Sequence, residues 1–309
     1  MIVPVPRNFA FQPTVESHGW FRLAPFRWSR EKGVLRRREA GGEIAISCRN
    51  GALHVKVEDR HSCLSGQAGV PVLHQQIARM FQLDVDIAEF VELTRDSPAH
   101  AWVAQTGFGR LLCGATLWED AVKIITTTNT MWRQTVRMVE LLVAKAGGVF
   151  PTQEQIAGFT VDELQNDCRL GYRAKSIHAL ASRDLTTLPE STADRYKFYL
   201  SLPGIGPYGA AHLLAMDGRH DFIAVDTEFR RFVRERYHGG RKVSDETMLR
   251  RYRKWGRRRH RRQPSRSSER ARGCDWCPTP RLRGSCHRSD AEPAGPARRA
   301  RRAARSRES

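Results

Sequence analysis

Hydrophobic residues recur with period two near the start of the chain. In "GEIAISC" Ile44, Ile46 and Cys48 share one face, and in "ALHVKV" Leu53, Val55 and Val57 share another. Asn50-Gly51 separates the two runs. That pair suits a two-residue type I′ turn, in which both positions need positive φ, so the pattern predicts a β-hairpin. Residues 1–80 read as mainly strand.

From about residue 84 the period becomes helical. "MWRQTVRMVELLVAKAGG" places Trp132, Val136, Val139 and Val143 on one stripe and stops at Gly147-Gly148. Thr152 with Gln155, and Thr160 with Glu163, form capping boxes that predict two short helices. Tyr196, Tyr199 and Leu200 line a later helix; Phe229, Phe232 and Val233 line another that ends at Gly239-Gly240. There is no internal repeat. The expected fold is mainly α with a small N-terminal α+β domain built on an antiparallel sheet. It divides into a β-rich part at 1–82, a helical part at 83–256 and a tail at 257–309.

The tail changes the reading of charge. The chain of 309 residues carries a net charge of +19 and a pI near 10.4, which points to an anionic partner such as nucleic acid. Residues 257–309 hold 17 Arg and 5 acidic residues, and so carry +12 of that charge. They contain no Ile, Val, Phe or Met and cannot bury a core. Such an abrupt switch is also the pattern of GC-rich DNA read out of frame, which the codon phase on either side of residue 256 distinguishes. No apolar run has the length of a membrane span, and the N-terminus lacks a signal pattern, so a cytoplasmic protein is expected (at the nucleoid, if bacterial). Seven scattered cysteines read as reduced thiols.

The chemistry starts from "LPGIGPYGA", residues 202–210. Gly204 and Gly206 allow positive φ and leave no Cβ between the backbone and a partner. Pro207 fits the first turn of the next helix, whose free N–H groups favour an anion. Such a hairpin grips a DNA phosphate without reading sequence, or it is simply a tight helix connection. Eighteen residues beyond Tyr208 comes Asp226, in "FIAVDTEFRRFV".

Together, "LPGIGPYGAAHLLAM" and "FIAVDTEFRRF" resemble the helix–hairpin–helix, Gly/Pro-rich loop and aspartate signature of the endonuclease III / 8-oxoguanine glycosylase / 3-methyladenine glycosylase II superfamily. "TTTNTMWRQTVRMVE" resembles the 8-oxoguanine branch's asparagine-bearing helix, and "LGYRAKSI" its wedge segment. The resemblance spans roughly residues 10–256.

It implies a DNA glycosylase of base-excision repair, acting on a base flipped out of duplex DNA. Asp226 would stabilise the oxocarbenium-like sugar, and it also fits a helix N-cap. Bifunctional members place a lysine where this chain has Tyr208. A tyrosine offers no amine for a Schiff base, so the resemblance implies hydrolysis without strand cleavage. Leu202, Gly204, Ile205, Gly206 and Tyr208 would meet DNA. Tyr172 would wedge into the stack or sit in the core; Asn129 would face the orphaned base or cap a helix. Arg173 and Lys175 would touch phosphates. A base pocket would draw on His18, Trp20, Tyr208 and His212.

The 8-oxoguanine branch reads its lesion with a "SGQSF"-like loop; this chain has "ESHGWF", with His18 at the glycine position. That departure speaks against 8-oxoguanine specificity; His18 and Trp20 line a pocket for an alkylated base, or pack a strand. Gln134 and His212 also differ from that branch. Cys274, Cys277 and Cys286 are too few for the four-cysteine iron–sulfur cluster of endonuclease III relatives, so no metal and no resident cofactor are expected, apart from a monovalent cation at the hairpin. The partner is double-stranded DNA, and the protein is expected to be monomeric. The contrasting reading is a catalytically inert or C-terminally damaged helix–hairpin–helix DNA-binding protein.

Overall fold

The computed structural model describes residues 1–58, 69–95 and 100–252. The alternating runs form an antiparallel sheet of β1 (Ile2–Pro4), β2 (Phe26–Ser29), β3 (Val34–Glu39), β4 (Gly42–Arg49) and β5 (Ala52–Val57), ordered β1-β5-β4-β3-β2. Asn50 and Gly51 take φ of 50° and 71°, as the type I′ turn demands. Leu35 lies opposite Ile46, and Ile46 opposite Val55. All three are buried, so a one-residue slip would turn the row to solvent.

The first 80 residues are less uniformly strand than their alternation suggests. Helix α1 (Phe11–Val15) and a 3₁₀ turn (Gly19–Arg22) precede β2, and α2 (Gly69–Met80) already belongs to the helical part. α2 buries Leu73, Ile77 and Met80, a spacing of four and three. Then follow α3 (Ala88–Arg95), α4 (Ala101–Thr106), α5 (Leu117–Thr127), α6 (Trp132–Lys145), α7 (Gln153–Gly158), α8 (Val161–Asn166) and α9 (Arg173–Leu180). After these come α10 (Thr192–Leu200), α11 (Pro207–Met216), α12 (Thr227–His238) and α13 (Asp245–Arg250). Both capping boxes form, at Thr152 with Gln155 and at Thr160 with Glu163. On α6 the buried face is Thr135, Met138, Val139, Leu142 and Val143. The expected stripe is therefore rotated: Trp132 and Val136 sit at the rim, partly buried.

Helix α5 is buried from Leu117 to Thr126, and it carries Glu119, Asp120 and Lys123 into the core. Each has a partner. Arg37 of β3 donates to Glu119 at 2.8 Å, and Lys123 does so at 2.6 Å. Burial opposes ionisation of Glu119, but the two cations outweigh it and hold its pKa below the carboxylate range. These pairs fasten the sheet to the helices, and one apolar core runs through both. A smaller core of Phe229, Val233, Met248 and Tyr252 joins α12 to α13. The expected 257–309 tail lies outside the described residues. Among the described residues no helix is long and apolar enough to cross a membrane.

Candidate active site

Helices α10 and α11 form the arms of the hairpin. Leu202 and Ile205, expected at the DNA, are 2% and 6% exposed; their side chains anchor the loop in the core. The two glycines differ in kind. Gly204 has φ of 78°, and a Cβ on it would lie 2.7 Å from the Ser176 Cβ on α9. Gly206 caps α11 at φ −96°, where any residue fits, and a Cβ there would meet nothing within 4 Å. Only Gly204 thus uses positive φ. Gly206 leaves an open, exposed backbone in front of Pro207 and the first N–H groups of α11.

Tyr208 and His212 lie one turn apart on α11, with the Tyr208 hydroxyl 3.2 Å from His212 Nδ1. The His212 ring stacks on Trp20 at 5.4 Å and 27°. His18 completes the group, 4.6 Å from the Trp20 ring and 5.6 Å from that of His212. The four residues expected in a base pocket are therefore neighbours. Trp20 is 2% exposed and donates its indole N–H to Asp120 Oδ1 at 2.7 Å, which makes it a fixed wall. His18 Nε2 is 2.6 Å from the Leu112 carbonyl oxygen and donates to it. Nδ1 of the neutral ring is then the acceptor, buried and without a hydrogen-bond partner. Burial lowers the His18 pKa to about 4, against the pull of the Leu112 hydrogen bond and with the help of the Lys123 charge. Gly19 lets this loop close on α6, since a Cβ there would fall 2.5 Å from the Trp132 ring.

Asp226 is the N-cap of α12, where Oδ1 accepts from Phe229 N at 2.7 Å. A cap holds the carboxylate in one rotamer at a helix start.

The stretch between α5 and α6 meets the N-terminus of α9. Tyr172 is 60% exposed, so it is not a core aromatic. Its hydroxyl is 3.4 Å from both Thr128 Oγ1 and Asn129 Nδ2. The Thr128 hydrogen bond lowers the Tyr172 pKa; burial opposes it, and the Asn129 hydrogen bond and the Arg173 charge add to the lowering. Asn129 has φ of 45° and lies two residues before the N-cap Met131, so it does not cap α6. Gln134 serves there, accepting from Met131 N. Arg173, expected at a phosphate, is turned inward: it is 7% exposed and donates to the carbonyls of Leu170, Thr128 and Asn129. Its guanidinium lies 4.6 Å from the Tyr172 ring centroid and supports that side chain from behind. Lys175 is exposed. Sequence reasoning missed Thr128, Leu112, Asp120 and Ser176, which act only through contacts to distant positions.

Residues 122–258 match the family model described as HhH-GPD superfamily base excision DNA repair protein. The matched region belongs to that superfamily. Its HhH-GPD part carries Asn129, Tyr172, the hairpin, Tyr208 and Asp226, while His18 and Trp20 enter from the preceding sheet part. Among solved structures, MBOgg1 in complex with a low-affinity DNA ligand is similar at 21% identity and a TM-score of 0.70, over 88% of this chain and 96% of that one. A 3-methyladenine DNA glycosylase from Archaeoglobus fulgidus gives 16% identity and a TM-score of 0.68, over 85% and 95%. The apo 8-oxoguanine glycosylase/lyase of Clostridium acetobutylicum gives 15% and 0.65, over 86% and 95%. These likenesses fix the glycosylase fold, mainly helical with a small antiparallel sheet. No curated protein matches the chain. Among the described residues no group of three or more His, Cys, Asp or Glu is set to hold a metal ion; Cys274, Cys277 and Cys286 lie outside them.

Proposed function

We propose that this protein is a monofunctional DNA glycosylase that hydrolyses the N-glycosidic bond of a damaged or mispaired base. The observation that carries the reading is Tyr208, paired with His212 at the place where bifunctional relatives hold their lysine. A phenol cannot form a Schiff base, so water is the nucleophile. In the proposed reaction the hairpin holds a backbone phosphate through the α11 N–H groups and the uncrowded Gly206. Tyr172 enters the stack, Asn129 meets the orphaned base, and Lys175 faces a phosphate. The flipped base lies against His18, Trp20, Tyr208 and His212. Positive charge builds on the sugar as the base leaves. Asp226 stabilises that charge and orients water, a contribution of several kcal/mol in a water-poor site.

The test is base release from duplexes carrying 8-oxoguanine, alkylated purines, uracil or mismatches, with Asp226→Asn as control. Strand breaks that need hot alkali, and vanish in the control, are the expected result. Breaks without alkali would show an amine at work and overturn the monofunctional reading. Binding without release would leave the inert DNA-binding protein.

A further inference from the structure

Charge is segregated at Asp226. Residues 1–226 carry 25 Lys and Arg against 24 Asp and Glu, a net +1. Residues 227–252 carry 8 against 4, a net +4. The part that holds the hairpin and pocket residues is thus nearly neutral, and basic character begins with α12.

The cations of α12, α13 and the turn between them are set on a small rigid frame. Phe229, Val233, Met248 and Tyr252 form its core, and Arg230 bridges to Asp245 at 2.7 Å. Arg231 pairs with Glu228 and Glu235. Arg236, Arg241, Lys242, Arg250 and Arg251 are exposed and have no carboxylate partner among the described residues. The Arg251 guanidinium carbon lies 3.6 Å from the centroid of the Tyr237 ring. Helix-end dipoles account for Arg236 and Arg250 in the last turns of α12 and α13. Arg251, the C-cap of α13, falls under the same rule, and Arg241 Nε donates to the carbonyl of His238 at the end of α12, which leaves Lys242 with no such local role.

We propose that α12, α13 and the turn 239–243 form an electropositive surface that binds the phosphate backbone of duplex DNA to one side of the reacting nucleotide. The placement rests on the glycosylase reading, in which Asp226, the N-cap of α12, lies beneath the sugar. The 12 residues of α12 extend about 18 Å from that point. With α12 laid along the duplex, at one base pair per 3.4 Å, Arg241 and Lys242 would meet the backbone about five base pairs away. A neutral hairpin region fixes register through N–H groups, and this surface supplies the long-range attraction.

The experiment uses the full chain with Arg241→Ala and Lys242→Ala combined, exposed turn positions whose loss costs little stability. Binding to a damaged-site duplex carrying a tetrahydrofuran abasic analogue, and to an undamaged duplex, is followed by fluorescence anisotropy across a salt series. The log–log salt slope should fall by about 2 on both duplexes, since each lost phosphate contact removes about 0.9. Cutting the abasic duplex to three base pairs on either side should abolish the difference. An unchanged slope overturns the proposal. Arg241→Lys should keep the slope; its loss there would show shape rather than charge at work, and would also overturn it. The undamaged duplex is read without turnover, so a protein that releases no base can still show the slope change. The two readings thus fail separately.

Discussion

Gly204 of the hairpin lies directly against Ser176 of α9: a Cβ on the glycine would fall 2.7 Å from the serine Cβ. The helix that begins just after Tyr172 and the loop that leads into α11 are thereby packed as one piece. Moving either would displace the other.

This contact separates the two glycines by experiment. Gly204→Ala meets both positive φ and a clash, and should cost about 2–4 kcal/mol in denaturant unfolding. Gly206→Ala meets neither and should stay within about 0.5 kcal/mol. On the proposed function it should nevertheless weaken duplex binding, because the added methyl would stand between the α11 N–H groups and a DNA phosphate.

Asp226 can be divided into its cap and its chemistry. Asp226→Asn keeps an acceptor for Phe229 N, so stability should be nearly unchanged while base release falls by about 10²-fold or more. Asp226→Ala should lose turnover and about 1 kcal/mol of stability as well. Thermal unfolding beside single-turnover kinetics distinguishes the two variants.

His18 sets a pH dependence of stability. Its folded pKa is about 4, below the usual 6.5, so the unfolded chain binds more protons between those values. Stability should therefore fall as pH drops from about 6.5 to about 4, by at most about 3 kcal/mol from this group, and flatten below. A His18→Gln variant should lack this component when urea unfolding is compared across the window.

The Arg37–Glu119–Lys123 cluster joins sheet to helices with almost no exposure. Glu119→Gln leaves buried Lys123 without its ion-pair partner and Arg37 with Glu39 alone, and should cost about 3–5 kcal/mol. Denaturant unfolding measures the loss. A cost near zero would mean that water or another acidic group reaches the site.

The sequence by itself determined whatever depends on near neighbours. The Asn50-Gly51 turn, the two capping boxes and the αL stop at Gly239 all follow from local backbone chemistry. The hairpin and Asp226 were legible because a loop and a helix start are short, contiguous devices. Helix α2 and the rotated face of α6 were not, because burial is decided by what packs against a helix rather than by its own period. Only the tertiary structure turned Arg173 inward behind Tyr172, fixed the His18 proton on the side of Leu112, and gave Gly204 and Gly206 different reasons to be glycine. Each of those outcomes rests on an atom contributed from far along the chain. Hydrogen-bond geometry and close packing act on distances in space, which spacing in sequence does not encode.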